Sequence, residues 1–280
     1  MWLFLNGSIL PQEEILISPF DRGFQFSDGV YEVIRYYPRR FFRLENHIER
    51  LIYSLNETHI PVPDLKNIEN ILNELIIKND LTHELSIAYI QISRGYQYPR
   101  RHSYVENLDP TFFISVEKMP VKKNEMINGI KAGLEEDLRW HRCDIKSTSL
   151  LPNVLSAGDA ARKGYSEIVY HRNGIITEGS HTNICFVKDN VLITPPLSNL
   201  ILAGVTRKTV LEICCSIGIK VEEKNVNVEE LSDFDEILLL GTTTEITPVI
   251  ELDGTKVNDG HPGPVCRILQ GEYQKLIFSK

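Results

Sequence analysis

The chain reads as a mixed α/β protein of the α+β kind with two domains, and three observations predict this. Its 280 residues exceed the usual size of one compact core. Runs rich in β-branched and aromatic residues occur beside apolar patterns of helical spacing in both halves of the chain. Between the halves lies a polar stretch with a proline, Glu117–Asn124, which serves as a connector. The expected layout is a smaller domain at 1–119, a linker at 120–124 and a larger domain at 125–280.

The elements follow in order. Leu3–Leu10 reads as a hairpin turning at Asn6-Gly7. Val30–Tyr37 is a β-branched and aromatic run, and Pro38-Arg39-Arg40 turns it toward Phe41–Leu44. Ile48, Leu51, Ile52 and Leu55 recur at helical spacing within 45–58, as do Leu65, Ile68, Ile71, Leu72 and Leu75 within 64–78. Strands are expected at Ser86–Ser93 and Thr111–Val116. Past the linker, Ile130–Leu134 reads as a strand and 151–163 as a helix stopping near Gly164. Three short strands follow at Glu167–His171, Gly174–Thr177 and Thr182–Val187, the first two joined through Arg172-Asn173-Gly174. A helix at 206–217 and a buried strand at Glu236–Leu240 complete the pattern. No internal repeat or low-complexity segment interrupts it.

Composition narrows the function. Net charge is −8, and no basic stripe with interleaved aromatics accompanies it, so nucleic acid is not an expected partner. The N-terminal segment lacks the basic flank and length of a signal peptide, and no apolar run reaches membrane-spanning length. The five cysteines lack C-x-x-C spacing and are odd in number, as expected of reduced thiols in a cytoplasmic protein. No H-E-x-x-H or clustered ligand pattern calls for a metal.

The chemistry-bearing segments are few. Lys146, in Cys143-Asp144-Ile145-Lys146-Ser147, is expected at the end of a strand-like run. Glu178, in Thr177-Glu178-Gly179-Ser180, is expected at the end of another. A reactive lysine with a carboxylate that keeps a distant ring nitrogen protonated is the minimum equipment for pyridoxal phosphate chemistry. Taken singly, each is more commonly a solvated residue at a strand end. Two segments suit a phosphate: Ala203-Gly204-Val205-Thr206, which opens a helix, and Gly241-Thr242-Thr243-Thr244, which follows a buried strand. A helix cap or a polar loop is the alternative for each. Arg50 is a candidate cation. The loop Tyr98-Pro99-Arg100-Arg101-His102 suits a carboxylate, although a basic cluster is more often an exposed solvated loop.

Together these segments resemble the D-amino acid aminotransferase branch of the fold-type IV pyridoxal phosphate enzymes, over nearly the whole chain. The resemblance is carried by Asp21–Glu32, His47-Ile48-Glu49-Arg50-Leu51, Arg139–Ser147, His171-Arg172-Asn173, Thr177–Ser180, Ile201–Arg207 and Thr243–Ile250. It implies a larger domain with a pseudo-barrel, pyridoxal 5′-phosphate as cofactor, D-amino acids and 2-oxo acids as substrates, and a homodimer with shared active sites. It further implies that Lys146 binds the cofactor covalently and moves the proton, and that Glu178 pairs with the ring nitrogen. Arg50, Val205, Thr206 and Thr242 would hold the phosphate, and Leu202 would press on the ring. Tyr31 would line the substrate side. Arg100 and His102 would form a carboxylate trap reaching into the neighbouring subunit's site, with Arg101 as the alternative to Arg100. His181 and Gly241 stand where relatives often carry serine. Rival readings are a branched-chain L-amino acid aminotransferase or an aminodeoxychorismate lyase of the same fold, and a non-catalytic pyridoxal phosphate-binding module.

Overall fold

The computed structural model describes residues 1–278. They group into two units. One comprises Met1–Pro120 with Ile145–Leu150; the other comprises Val121–Asp144 with the described residues from Leu151 onward.

The first unit contains β1 (Trp2–Leu5), β2 (Ser8–Pro11), α1 (Arg22–Phe26), β3 (Gly29–Tyr37), β4 (Arg40–Phe41), α2 (Leu44–Glu57), α3 (Ile68–Lys78), β5 (Ser86–Ser93) and β6 (Thr111–Lys118). Its strands form an antiparallel sheet in the order β2-β1-β6-β5-β3-β4. Asn6 and Gly7 take φ of 47° and 93°, the left-handed pair that a tight hairpin needs. Alternation along β3 sends Val30, Ile34 and Tyr36 to one face, where Ile90 and Ile114 of the neighbouring strands join them. Leu51 and Leu55 of α2 and Leu72 and Leu75 of α3 pack on that face. Each such side chain stabilises the fold by about 1.5–3 kcal/mol on full burial. The same alternation puts Glu32 among these apolar residues, fully buried.

The second unit contains α4 (Lys123–Asn128), β7 (Ile130–Glu136), α5 (Leu151–Lys163), β8 (Glu167–Arg172), β9 (Ile175–Gly179), β10 (Asn183–Lys188), β11 (Val191–Thr194), α6 (Val205–Ile217), β12 (Val221–Glu223), β13 (Glu236–Gly241), β14 (Glu245–Leu252), β15 (Thr255–Lys256) and α7 (Pro264–Phe278). The sheet runs β12-β11-β10-β13-β14-β7-β8-β9, with β15 on β14. Five strand spacings separate β9 from β10 along this path, about 24 Å if flat. Yet only Ser180-His181-Thr182 joins the two strands, a connection that spans at most about 14 Å. The sheet therefore curls until β9 returns beside β10, where Gly179 N–H donates to the Thr182 carbonyl at 2.7 Å. This is the half-barrel that the resemblance implied.

Several expectations need adjustment. The polar connector is shorter than 117–124, because β6 extends to Lys118 and α4 begins at Lys123. Residues 145–150 group with the first unit rather than with the larger one. Lys146 does not end a strand: Cys143 and Asp144 form a turn, and the lysine lies just before Ser147, which makes an isolated bridge to Val30. The polar residues around Ile145 leave too little apolar alternation for a strand. Glu178 lies inside β9, which runs to Gly179. The helix expected at 64–78 begins at Ile68. Helices α1, α4 and α7 and strands β11, β12, β14 and β15 were not anticipated.

Candidate active site

In the first unit the backbone of Ile145–Leu150 is laced to β3 and α2. Tyr31 N–H donates to the Lys146 carbonyl at 2.9 Å, Thr148 N–H to the Gly29 carbonyl at 2.9 Å, and Lys146 N–H to Ser54 Oγ at 3.1 Å. This fixes the half-buried Lys146 over Tyr31, its Nζ 4.2 Å from the ring centroid. The two residues assigned to lysine chemistry and to the substrate side are thus neighbours.

Arg50 and His47 lie three residues apart on α2, so both face β3. Arg50 donates from Nε to Glu32 Oε1 at 2.7 Å and from Nη2 to Oε2 at 2.9 Å, and His47 Nδ1 lies 2.9 Å from Oε2. Burial alone would raise the Glu32 carboxyl, but the Arg50 charge and hydrogen bonds, with those of His47, hold it well below the usual carboxylate range. Burial pushes the His47 imidazole below its ordinary value, against the upward pull of Glu32, and the charges of Arg50 and Lys146 add to the lowering. A carboxylate that grips two nitrogens fixes the guanidinium plane. Glu32 is the partner that the sequence reading did not assign.

The basic loop is equally well fixed. Arg100 stacks on Phe26 with Cζ 4.1 Å from the ring centroid, and the His102 ring lies 5.5 Å from the same ring. Arg101 gives its backbone carbonyl to Arg22 Nη1 at 2.8 Å. The shared ring therefore groups Arg100, rather than Arg101, with His102.

In the second unit Glu178 is 4% exposed. It accepts from Arg139 Nη1 on Oε1 at 2.7 Å, and on Oε2 from Asn183 Nδ2 at 3.1 Å and Leu202 N–H at 3.0 Å. Arg139 is already gripped by Asp137, through Nε to Oδ1 and Nη2 to Oδ2, each at 2.9 Å. Burial raises the Glu178 carboxyl, and Arg139 only partly opposes this. A buried carboxylate whose arginine neighbour is shared with another carboxylate is short of positive charge. A protonated ring nitrogen meets that need.

The phosphate segments lie in this unit too. Gly204 caps α6 without a side-chain hydrogen bond, and Val205 and Thr206 of the first turn are buried. N–H groups in a helix's first turn have no acceptor within the helix and favour an anion. A Cβ on Gly204 would overlap the Asn183 side-chain oxygen. The glycine thus lets the helix start press against the amide that also holds Glu178. Asn183 in turn faces Leu240 across β10 and β13, one residue before Gly241. Thr242 opens the turn 242–244 between β13 and β14. Around Gly241 an added Cβ would meet only ordinary contacts, the nearest at 3.4 Å. Departure from serine at 241 therefore leaves room in the turn. His181 Nδ1 lies 2.9 Å from Glu167 Oε2, a carboxylate that also accepts from Thr182 Oγ1 at 3.0 Å. The donors of the second unit suit pyridoxal phosphate, with an acid for a ring nitrogen and N–H groups and hydroxyls for a phosphate; the first unit, taken by itself, offers a lysine amine.

The reading from sequence did not assign Glu32, Arg139, Asp137, Asn183 or Glu167. Most lie in or beside the quoted motifs, but Glu32 and Arg139 act through partners distant in sequence, Arg50 and Glu178. Among the described residues no His, Cys, Asp and Glu group could hold a metal, and no helix is long and apolar enough to cross a membrane. Cys143, Cys185, Cys214, Cys215 and Cys266 are all free thiols.

The sequence model of the family described as Amino-transferase class IV matches residues 29–252. A D-alanine aminotransferase of Staphylococcus haemolyticus is 36% identical, covering 99% of this chain and 98% of its own. One of Bacillus licheniformis is 38% identical, covering 100% and 98%. Among solved structures, the Escherichia coli branched-chain amino acid aminotransferase superposes with a TM-score of 0.91 at 27% identity, covering 98% of this chain and 94% of that one. The chain belongs to the class IV aminotransferases, enzymes that work with pyridoxal 5′-phosphate.

Proposed function

We propose that the chain is a D-amino acid aminotransferase, moving the amino group of a D-amino acid such as D-alanine to a 2-oxo acid such as 2-oxoglutarate. The observation that carries this reading is the grouping of Arg100 and His102 on Phe26, a guanidinium and an imidazole side by side and fit for one carboxylate. The full-length likeness to the D-alanine aminotransferases supports it.

Pyridoxal phosphate, when bound, supplies a ring that takes up the electrons released at the substrate α-carbon. The rest falls to the chain. Lys146 holds the cofactor through Nζ and, when its amine is free, takes the α-proton there and later returns it. Tyr31, beneath Nζ, lines the substrate side. Glu178 holds the proton on the ring nitrogen, and Leu202, whose N–H is tied to Glu178, presses on the ring. Arg50, its plane set by Glu32, holds the phosphate with Val205 N–H, Thr206 and Thr242. Arg100 and His102 bind the α-carboxylate and so decide which face of the α-carbon meets Lys146.

The active protein is a homodimer in this reading, with Arg100 and His102 serving the neighbouring subunit's site. Exposed apolar side chains suit a second copy: Leu16 and Phe24 in the first unit, and Leu151, Val154 and Leu155 on one side of α5. The reading places the enzyme in the cytoplasm, where free thiols persist. Half-reactions with D-alanine, L-alanine, D-glutamate and L-leucine, followed through the cofactor spectrum, test it. Fast conversion of the D-amino acids is expected. Preference for L-leucine would favour the branched-chain alternative.

A further inference from the structure

Arg22 sits in α1, far from the basic loop in sequence, and is 4% exposed. Its guanidinium reaches three partners at once: Nε donates to Asp28 Oδ2 at 2.7 Å, Nη1 to the Arg101 carbonyl at 2.8 Å, and Nη2 to the His102 carbonyl at 3.0 Å. Its Cζ also lies 4.8 Å from the centroid of Phe26, the ring that carries Arg100 and His102. Asp28 binds a second buried cation, accepting from Arg94 Nε at 2.8 Å and Nη2 at 3.0 Å. Arg94 continues to the Thr58 and His59 carbonyls, at 2.7 Å and 2.9 Å, just past the end of α2. Two buried cations thus share Asp28, and one of them, with one ring, reaches a loop whose functional side chains are both exposed.

We propose that Arg22, oriented by Asp28, is the positioning residue of the carboxylate clamp, and that Phe26 is its platform. Arg22 acts through the backbone, fixing two successive carbonyls so that Arg100 and His102 emerge on the same ring. A guanidinium suits this role because its planar fork spans both carbonyls while its Nε stays on Asp28. A lysine offers one ammonium and cannot reproduce the fork. Phe26 offers a π face on which an arginine and a histidine rest next to each other. The clamp is then organised before substrate arrives, and the ordering cost of binding falls.

This inference rests on the clamp reading of Arg100 and His102, and the test separates the two. Steady-state kinetics of the holoenzyme are measured for R100A, R22K, F26L and F26Y, with pyridoxal phosphate affinity measured alongside. For R22K and F26L, KM for D-alanine and for 2-oxoglutarate is expected to rise about tenfold, with kcat and cofactor affinity within about twofold. F26Y keeps the ring and is expected to recover most of what F26L loses. If R100A raises KM while R22K and F26L both leave it within about twofold, the positioning role is wrong and the clamp stands. If R100A leaves KM unchanged, the clamp reading fails and this inference with it. An equal fall of kcat, cofactor affinity and 1/KM in both R22K and F26L would mark a general structural role and overturn the proposal.

Discussion

Glu32 and Glu178 are both buried carboxylates beside an arginine, one in each unit, yet their acidities move in opposite directions. Arg50 gives Glu32 two hydrogen bonds, and His47 adds a third. Arg139 gives Glu178 one, because its other nitrogens are held by Asp137. The remaining donors to Glu178 are a neutral amide and a backbone N–H. Burial carries the same sign at both sites, so the difference comes from how completely the neighbouring cation belongs to the carboxylate. One acid is satisfied and serves to orient an arginine. The other is left wanting a positive partner and suits a cofactor ring.

That contrast can be broken at several points. Lys146→Ala, which removes the amine proposed to hold the cofactor, should lower turnover by about 10⁴-fold or more. Turnover near wild type in a single-turnover assay would sink the assignment. Glu178→Gln should lower kcat by about 10²–10³-fold at saturating pyridoxal phosphate, because an amide does not keep the ring nitrogen protonated. Glu32→Gln should instead weaken cofactor binding by about tenfold and leave much of kcat at saturation, since it disturbs Arg50 rather than the ring. Equal kcat losses in the two variants would erase the contrast.

Gly204→Ala should destabilise the protein by about 1–3 kcal/mol in urea titration, from overlap with Asn183. The smallest effects lie in the pH dependence of the cofactor-free protein. Glu32, lowered from 4.5, contributes stability that is present above that pH and lost as pH falls toward its folded value. His47, lowered from 6.5, adds a loss as pH falls below 6.5, where the unfolded chain takes the proton and the folded one does not. Glu178, raised from 4.5, has the opposite slope and costs stability as pH rises above 4.5 toward its folded value. Urea midpoints of Glu178→Gln should therefore fall less than wild type as pH rises above 4.5, and those of Glu32→Gln should fall less as pH drops below it.

Much of the fold was legible because its signals are local. Asn6-Gly7 and Asn173-Gly174 announce their turns through left-handed backbone, with φ of 47°, 93°, 50° and 81°. The apolar spacing of α2 and α6 gives their faces. Strand β14 was missed because Pro248 lies inside it, a residue that argues against a strand. Helix α1 is a single short turn before a strand and has no period to detect. The site was legible in its types but not in its pairings. Lys146 and Glu178 were each weak alone, and their order among the other motifs carried the reading. Nothing local links Glu32 to Arg50, Arg139 to Glu178 or Arg22 to His102, because such pairs form only when the chain brings distant segments together.

The three-residue turn that brings β9 back beside β10 also bears on how the molecule forms. Glu178 and Asn183 are five residues apart, so their hydrogen bond closes a short loop. The strands that complete the curl, β7, β13 and β14, come from positions 130–136 and 236–252. Loop-closure entropy favours the local event, so the acid end of the site is expected to take shape while the sheet is still open. Pulse-labelled hydrogen exchange during refolding would then protect the Gly179 amide, bonded to Thr182, ahead of the amides pairing β14 with β7. A mutation that lengthens this turn would disturb refolding and ring recognition together.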